Sequence, residues 1–179
     1  MKTTLEPPDK FHVVAAQGWL ELGDHIAAND ELEKVSAHLR AHPDVLDVRW
    51  QIYARAEKWE ACADIAEAII KLDPNRPDAW IHRSYALHEL GRTQEAFDQL
   101  LPVTDKFPKV WTIAYNLSCY CAQLGRLDQC HMRDEQFLSS RRHSMLTVST
   151  DAESLLDHLT ATKHIHVPKP VCHATTNAA

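Results

Sequence analysis

Three of the four glycines in this 179-residue chain, Gly23, Gly91 and Gly125, stand 68 and 34 residues apart. Pro74 and Pro108 repeat the interval of 34, and so do Pro43 and Pro77. Glycine just past a helix supplies a left-handed cap at no Cβ cost, and proline halts a helix because it has no amide hydrogen to donate. Breakers that recur every 34 positions therefore punctuate a series of helical hairpins, and a fixed period of this length marks a helix-turn-helix solenoid.

The side chains between the breakers keep the same period. Pro77-Asp78-Ala79-Trp80, Leu90-Gly91-Arg92, Glu95-Ala96 and Phe107-Pro108 set an aromatic, a turn glycine, a small residue and a closing proline in order. In this the chain resembles the tetratricopeptide repeat family. The resemblance implies an all-α fold: a right-handed superhelical solenoid of about four helix-turn-helix repeats with a C-terminal capping helix. The expected repeats are 9–42, 43–76, 77–110 and 111–142, preceded by an extension at 1–8 and covering about three quarters of the chain. Ala28, Cys62, Ala96 and Cys130, again 34 apart, are the small residues that let helix B of each repeat approach helix A. Trp19, Leu22, Tyr53, Trp80, Leu87, Leu90, Phe97, Leu117 and Leu124 are expected to pack the two helices together. Thr150-x-x-Glu153 reads as a capping box opening a helix at 150–162, whose Ala152, Leu155, Leu156 and Leu159 would cover the last repeat. The tail at 163–179 has no periodicity and reads as disordered.

Three departures from the pattern carry expectations. The second repeat has Trp50 at a small-residue position and Glu57 where the turn glycine belongs. A left-handed Glu costs about 1 to 2 kcal/mol, so a different turn is expected there, with Trp50 and Trp59 restoring the loss through packing. Pro102 falls inside the third helix B and should kink or break it. The first repeat lacks the helix-closing proline, with Arg40 in its place, and is the loosest fit.

Composition narrows the function. Nineteen Lys and Arg against 25 Asp and Glu leave a net charge of −6, which repels a phosphate backbone, so nucleic acid is not an expected partner. Met1 to Lys10 has no apolar run of the kind that directs export, and the longest uncharged stretch, Val110 to Gly125, is too short and too polar to span a bilayer. Five cysteines at irregular spacings read as reduced thiols, and the expected location is cytoplasmic. No phosphate loop, dinucleotide fingerprint, HExxH helix or GxSxG turn occurs, so neither enzymatic activity nor a cofactor is expected. Cys119, Cys121, Cys130 and His131 form a cluster only in one dimension, because residues two apart on a helix face different sides. His164, His166, Cys172 and His173 in the tail are competent metal donors, read here as adventitious ones.

What remains is the surface that such repeats build. In proteins that this chain resembles, helix A lines a concave face holding an extended or helical peptide. The resemblance carries this role onto Lys10, Val13 and Gln17 in the first repeat, and onto Asp44, Asp47, Gln51 and Arg55 in the second. In the third it falls on Asp78, Ile81, Tyr85, His88 and Glu89, and in the fourth on Thr112, Tyr115, Asn116 and Cys119. Asp44, Asp47, Asp78 and Glu89 give an acidic strip, and Ile81, Tyr85 and Tyr115 offer apolar anchors, suiting a basic, partly apolar protein segment. The Lys and Asn clamp with which one subclass holds C-terminal carboxylates is absent, since Val13, Gln17, Val48, Asp78 and His82 stand at its positions. The expected function is a non-enzymatic adaptor that binds a partner's peptide. The alternative is a small acidic chaperone of a secreted client, and the sequence leaves a homodimer open.

Overall fold

The computed structural model describes residues 4–126. They form helices α1 (Asp9–Glu21), α2 (His25–Leu32), α3 (Pro43–Arg55), α4 (Trp59–Leu72), α5 (Pro77–Glu89), α6 (Thr93–Leu100), α7 (Val103–Lys106) and α8 (Trp111–Gln123). A short 3-10 turn, Ala37–Leu39, lies between α2 and α3. Sequence neighbours pack as hairpins, α1 on α2, α3 on α4 and α5 on α6, and each hairpin packs on the next through α2 against α3 and α4 against α5. The fold is all-α. The expected cap at 150–162, Cys130, His131 and the tail donors lie outside the described residues.

The breakers act as their chemistry predicts. Gly23, Gly91 and Gly125 take φ of 86°, 75° and 71°. Each closes its helix with the same two bonds, as Gly23 N–H donates to Leu20 O at 3.0 Å and Asp24 N–H to Trp19 O at 3.0 Å. Both satisfy carbonyls that the end of a helix leaves open. Pro43 and Pro77 occupy first-turn positions of α3 and α5, where a missing amide hydrogen has no consequence. Pro102 ends α6 at Leu100 and caps α7, so the expected break is present.

The second turn corrects the expectation of a different geometry. Glu57 adopts φ 55°, and the pair of bonds is unchanged: Glu57 N–H to Ala54 O at 3.1 Å and Lys58 N–H to Tyr53 O at 2.9 Å. The packing beside the turn outweighs the strain, with Trp59 edge-on to Tyr85 at 5.6 Å and Lys58 Nζ 5.4 Å from the Tyr53 ring centre. Glu57→Gly is therefore expected to raise stability by about 1 kcal/mol, the left-handed penalty less the added freedom of the unfolded chain. A urea midpoint that rises at constant slope bears this out, and one that stays or falls contradicts it.

The core runs through the hairpins. Val13, Ala16, Leu20, Leu32, Val45, Val48 and Ile52 join α1, α2 and α3. Leu87, Phe97, Leu100, Ile113, Leu117 and Tyr120 join α5, α6 and α8, and Trp50, Cys62, Ala66 and Ala86 lie among α3, α4 and α5. Ala28, Cys62 and Ala96 are fully buried in their small-residue slots. Burial pushes the Cys62 thiol up to about 12, so it packs as a small apolar group. Trp19 and Leu22 depart from the expected packing role and stand exposed. In the first hairpin α2 stops at Leu32. The chain after it is held by Asp9, whose carboxylate accepts Ser36 N–H at 2.6 Å and Ser36 Oγ–H at 3.1 Å.

Candidate functional site

The edge between α3 and α5 gathers most of the chemistry. Both helices start at proline, which sets Asp44 and Asp78 in their first turns, where a carboxylate interacts well with the helix dipole. Arg76, just before α5, donates from Nη1 to Asp44 Oδ1 at 2.7 Å. Asp47 lies one turn further along α3, accepting from Gln51 Nε2 at 3.0 Å and standing 3.6 Å from His82 Nδ1. The His82 ring stacks on Trp50, with centres 3.8 Å apart and planes 6° from parallel. Trp50 Nε1–H is buried with no acceptor among the described residues.

Burial dominates the protonation of this edge. It lowers the His82 pKa to about 4, opposed by the negative Asp78 and reinforced by Arg76. It raises that of Asp47, against the Arg76 charge and the Gln51 bond. His82 is thus a neutral ring at neutral pH. Further along α5, Tyr85 is half-buried against Trp59, and burial together with Glu89 holds its hydroxyl protonated well above the ordinary range.

The contacts join Asp47 to Gln51 and His82, Asp44 to Arg76, and Tyr85 to Glu89. Ile81 is half-buried against the core, and Tyr115 packs edge-on to Trp111 with centres 6.3 Å apart. Lys10, Arg55, Asp78 and Glu89 are exposed, whereas Gln17, Thr112, Asn116 and Cys119 are half-buried. Two expected lining residues sit elsewhere. Val13 is 6% exposed and belongs to the core beneath α1, so it presents almost nothing to a ligand. His88 turns into the packing between helices, bonded to Thr93 Oγ1 at 3.0 Å and resting on the Tyr120 ring at 4.9 Å. Among the described residues no group of three or more His, Cys, Asp or Glu is placed to hold a metal, and no helix is long and apolar enough to cross a membrane.

Arg76 and His82 are the members of this edge that periodicity alone did not mark as lining residues. A spacing of 32 rather than 34 would have pointed to Arg76. It reaches back to Asp44, Lys106 Nζ reaches Pro74 O at 2.6 Å, and Arg126 Nη2 reaches Gln94 Oε1 at 2.7 Å.

The arrangement of helical hairpins has counterparts among solved structures. A structure titled "Crystal structure of MamA" superposes with a TM-score of 0.69 at 12% identity, covering 77% of this chain and 81% of that one. The fold is that of a tetratricopeptide-repeat protein. "MamA RS-1 ArsTM double mutant" gives 0.66 at 16% identity over 89% and 95% of the two chains, and "MamA MSR-1 C2" gives 0.64 at 15% over 76% and 78%. At such identities the likeness concerns the fold. No protein-family model matches the sequence, and no curated protein does.

Proposed function

We propose that the chain is a non-enzymatic protein-interaction module whose α3, α5 and α8 residues receive a basic, partly apolar peptide segment of a partner protein. The observation that carries this reading is the position of Asp47, Asp78 and Glu89 beside the half-buried Ile81 and Tyr85, carboxylates next to apolar anchors. Aromatic and aliphatic groups already partly fixed by packing supply contact area at little entropic cost, and the carboxylates set the polarity of the ligand. Asp44 contributes less than the sequence suggests, since Arg76 already neutralises it. The net charge of −6 adds long-range attraction for a basic segment.

The test uses peptides selected from a random library against the full chain, then measured against Asp78→Lys/Glu89→Lys. Both residues are exposed, so the substitutions should leave helical circular dichroism unchanged. Selected peptides should be rich in Lys and Arg, and the double variant should bind them about tenfold more weakly, with a shallower dependence on salt. Equal affinity for both proteins removes the acidic-face reading.

A further inference from the structure

Asp47 and His82 stand close without being bonded. Asp47 Oδ1 is 3.6 Å from His82 Nδ1, whereas a charge-assisted hydrogen bond between such atoms spans about 2.7 to 2.9 Å. Nδ1 is buried and has no hydrogen-bond partner among the described residues. Packing fixes both side chains. The His82 ring lies flat on Trp50, and Gln51 Nε2 donates to Asp47 Oδ2 at 3.0 Å. Each nevertheless keeps an opening to solvent, with 21% of the His82 side chain and 23% of the Asp47 side chain exposed.

The neighbouring charges are otherwise engaged. Arg76 donates to Asp44 rather than to Asp47. On α4, the helix packed against α5, Glu67 is held by Arg83 and Lys71. Asp78 adds a negative charge beside His82 without bonding to it. Among the described residues Asp47 therefore has no Lys or Arg of its own chain bound to it, unlike Asp44 on the same helix.

Resting on the peptide-binding reading above, we propose that Asp47 and His82 act as one acidic receptor that holds either a cationic side chain of the partner or a proton from solution, so that mild acid releases the partner. Without an added proton the pair is an anion, and a Lys or Arg side chain neutralises it. One added proton makes the pair neutral whichever residue carries it. On His82, the imidazolium closes the gap to Asp47 and occupies Oδ1; on Asp47, the carboxyl loses its charge. Lys and Arg stay charged across this range, so cation and proton exclude each other at the pair and binding drives the proton off. Burial acts in the same direction. It raises the Asp47 pKa, which brings protonation of the carboxylate nearer to neutral pH, and it lowers that of His82, which keeps the ring neutral when the partner binds. Arg76, Asp44 and Asp78 move the pH at which the exchange occurs and leave its sign unchanged.

Calorimetric titration of the full chain with a library-selected peptide containing Lys and Arg tests the pair, with helical circular dichroism at each pH confining the comparison to folded protein. The wild-type Kd should be constant above about pH 6.5 and rise at least about threefold by about pH 4.5. Asp78→Asn/Glu89→Gln removes the exposed neighbouring carboxylates and should keep this dependence. Asp47→Asn preserves the side-chain shape and an acceptor for Gln51, and should bind more weakly at neutral pH and lose the dependence. His82→Gln removes the second seat for the proton and should move the rise in Kd to lower pH. At about pH 5, titrations in two buffers of different ionisation enthalpy should show proton release by the wild type and none by Asp47→Asn. A basic peptide that depends on Asp78 and Glu89 yet binds equally at every pH overturns the receptor while leaving the peptide face intact, as does a pH dependence that Asp47→Asn retains. A profile unchanged by His82→Gln overturns the part given to His82. A library that yields no basic peptide removes the face itself and the proposal with it.

Discussion

Trp50→Ala is expected to lower the stability of the chain by about 3 to 5 kcal/mol, the range for removing a large aromatic from a core. Trp50 is 7% exposed and occupies a position where repeats of this kind carry a small residue. Around it lie Cys62, Ala66 and Ala86, whose small side chains leave the volume that the indole fills. Its other face stacks on His82, tying α3 to α5, so truncation opens a cavity and releases the link between two hairpins. Trp50→Phe should cost much less, since it keeps the aromatic packing and deletes a buried N–H that has no acceptor. Urea unfolding of the two variants reads the difference. A loss below about 1 kcal/mol for Trp50→Ala would mean that the hairpins do not depend on this contact.

The second large effect concerns acid. The unfolded chain protonates His82 near its ordinary value of 6.5, whereas the folded chain resists until about 4. Between those values the unfolded state binds more protons, so the stability that His82 contributes is complete above pH 6.5 and is lost as pH falls towards 4. Each unit of difference is worth about 1.4 kcal/mol, which gives a loss of about 2 to 3 kcal/mol across the window. His88, lowered by burial, acts with the same sign. Asp47, raised by burial, acts with the opposite sign, but only as pH approaches the carboxylate range. The groups facing His82 are Trp50, Asp47, Asp78 and Arg76, and the two carboxylates moderate the slope without reversing it. Asp9, Glu31, Glu33 and Glu67 are held below their ordinary values by their partners, so their stabilisation disappears only below about pH 4.5. His82→Phe keeps a ring on Trp50 and should remove most of the decline between pH 6.5 and 4.5, leaving the steeper loss below it. Melting curves of wild type and variant over this range decide the matter, and parallel declines would contradict the role given to His82.

The fold was legible because its punctuation is local. Gly23, Gly91 and Gly125 need a left-handed turn wherever they stand, and Pro102 stops a helix whatever surrounds it. Ala28, Cys62 and Ala96 mark helix crossings by size alone. What escaped the sequence depended on neighbours across hairpins. Glu57 takes the glycine conformation because the Trp59 and Tyr85 contact stabilises the turn, a term that no local rule contains. Trp19 and Leu22 look like packing residues, yet both side chains stand exposed. The candidate face was legible in outline and altered in detail. Asp44 is neutralised by a residue 32 positions away, His88 is drawn inward by Thr93 and Tyr120, and the ordinary-looking His82 is desolvated only once α3 and α5 meet.

The proposed peptide site is the helix-A edge formed by α3, α5 and α8. Mapping backbone amide shifts of the full chain during titration with a library-selected basic peptide tests it most directly. The largest changes are expected at Asp47, Asp78, Ile81, Tyr85 and Tyr115, weakening as salt is raised. Changes confined to α2, α4 and α6, or selected peptides without basic residues, would contradict it.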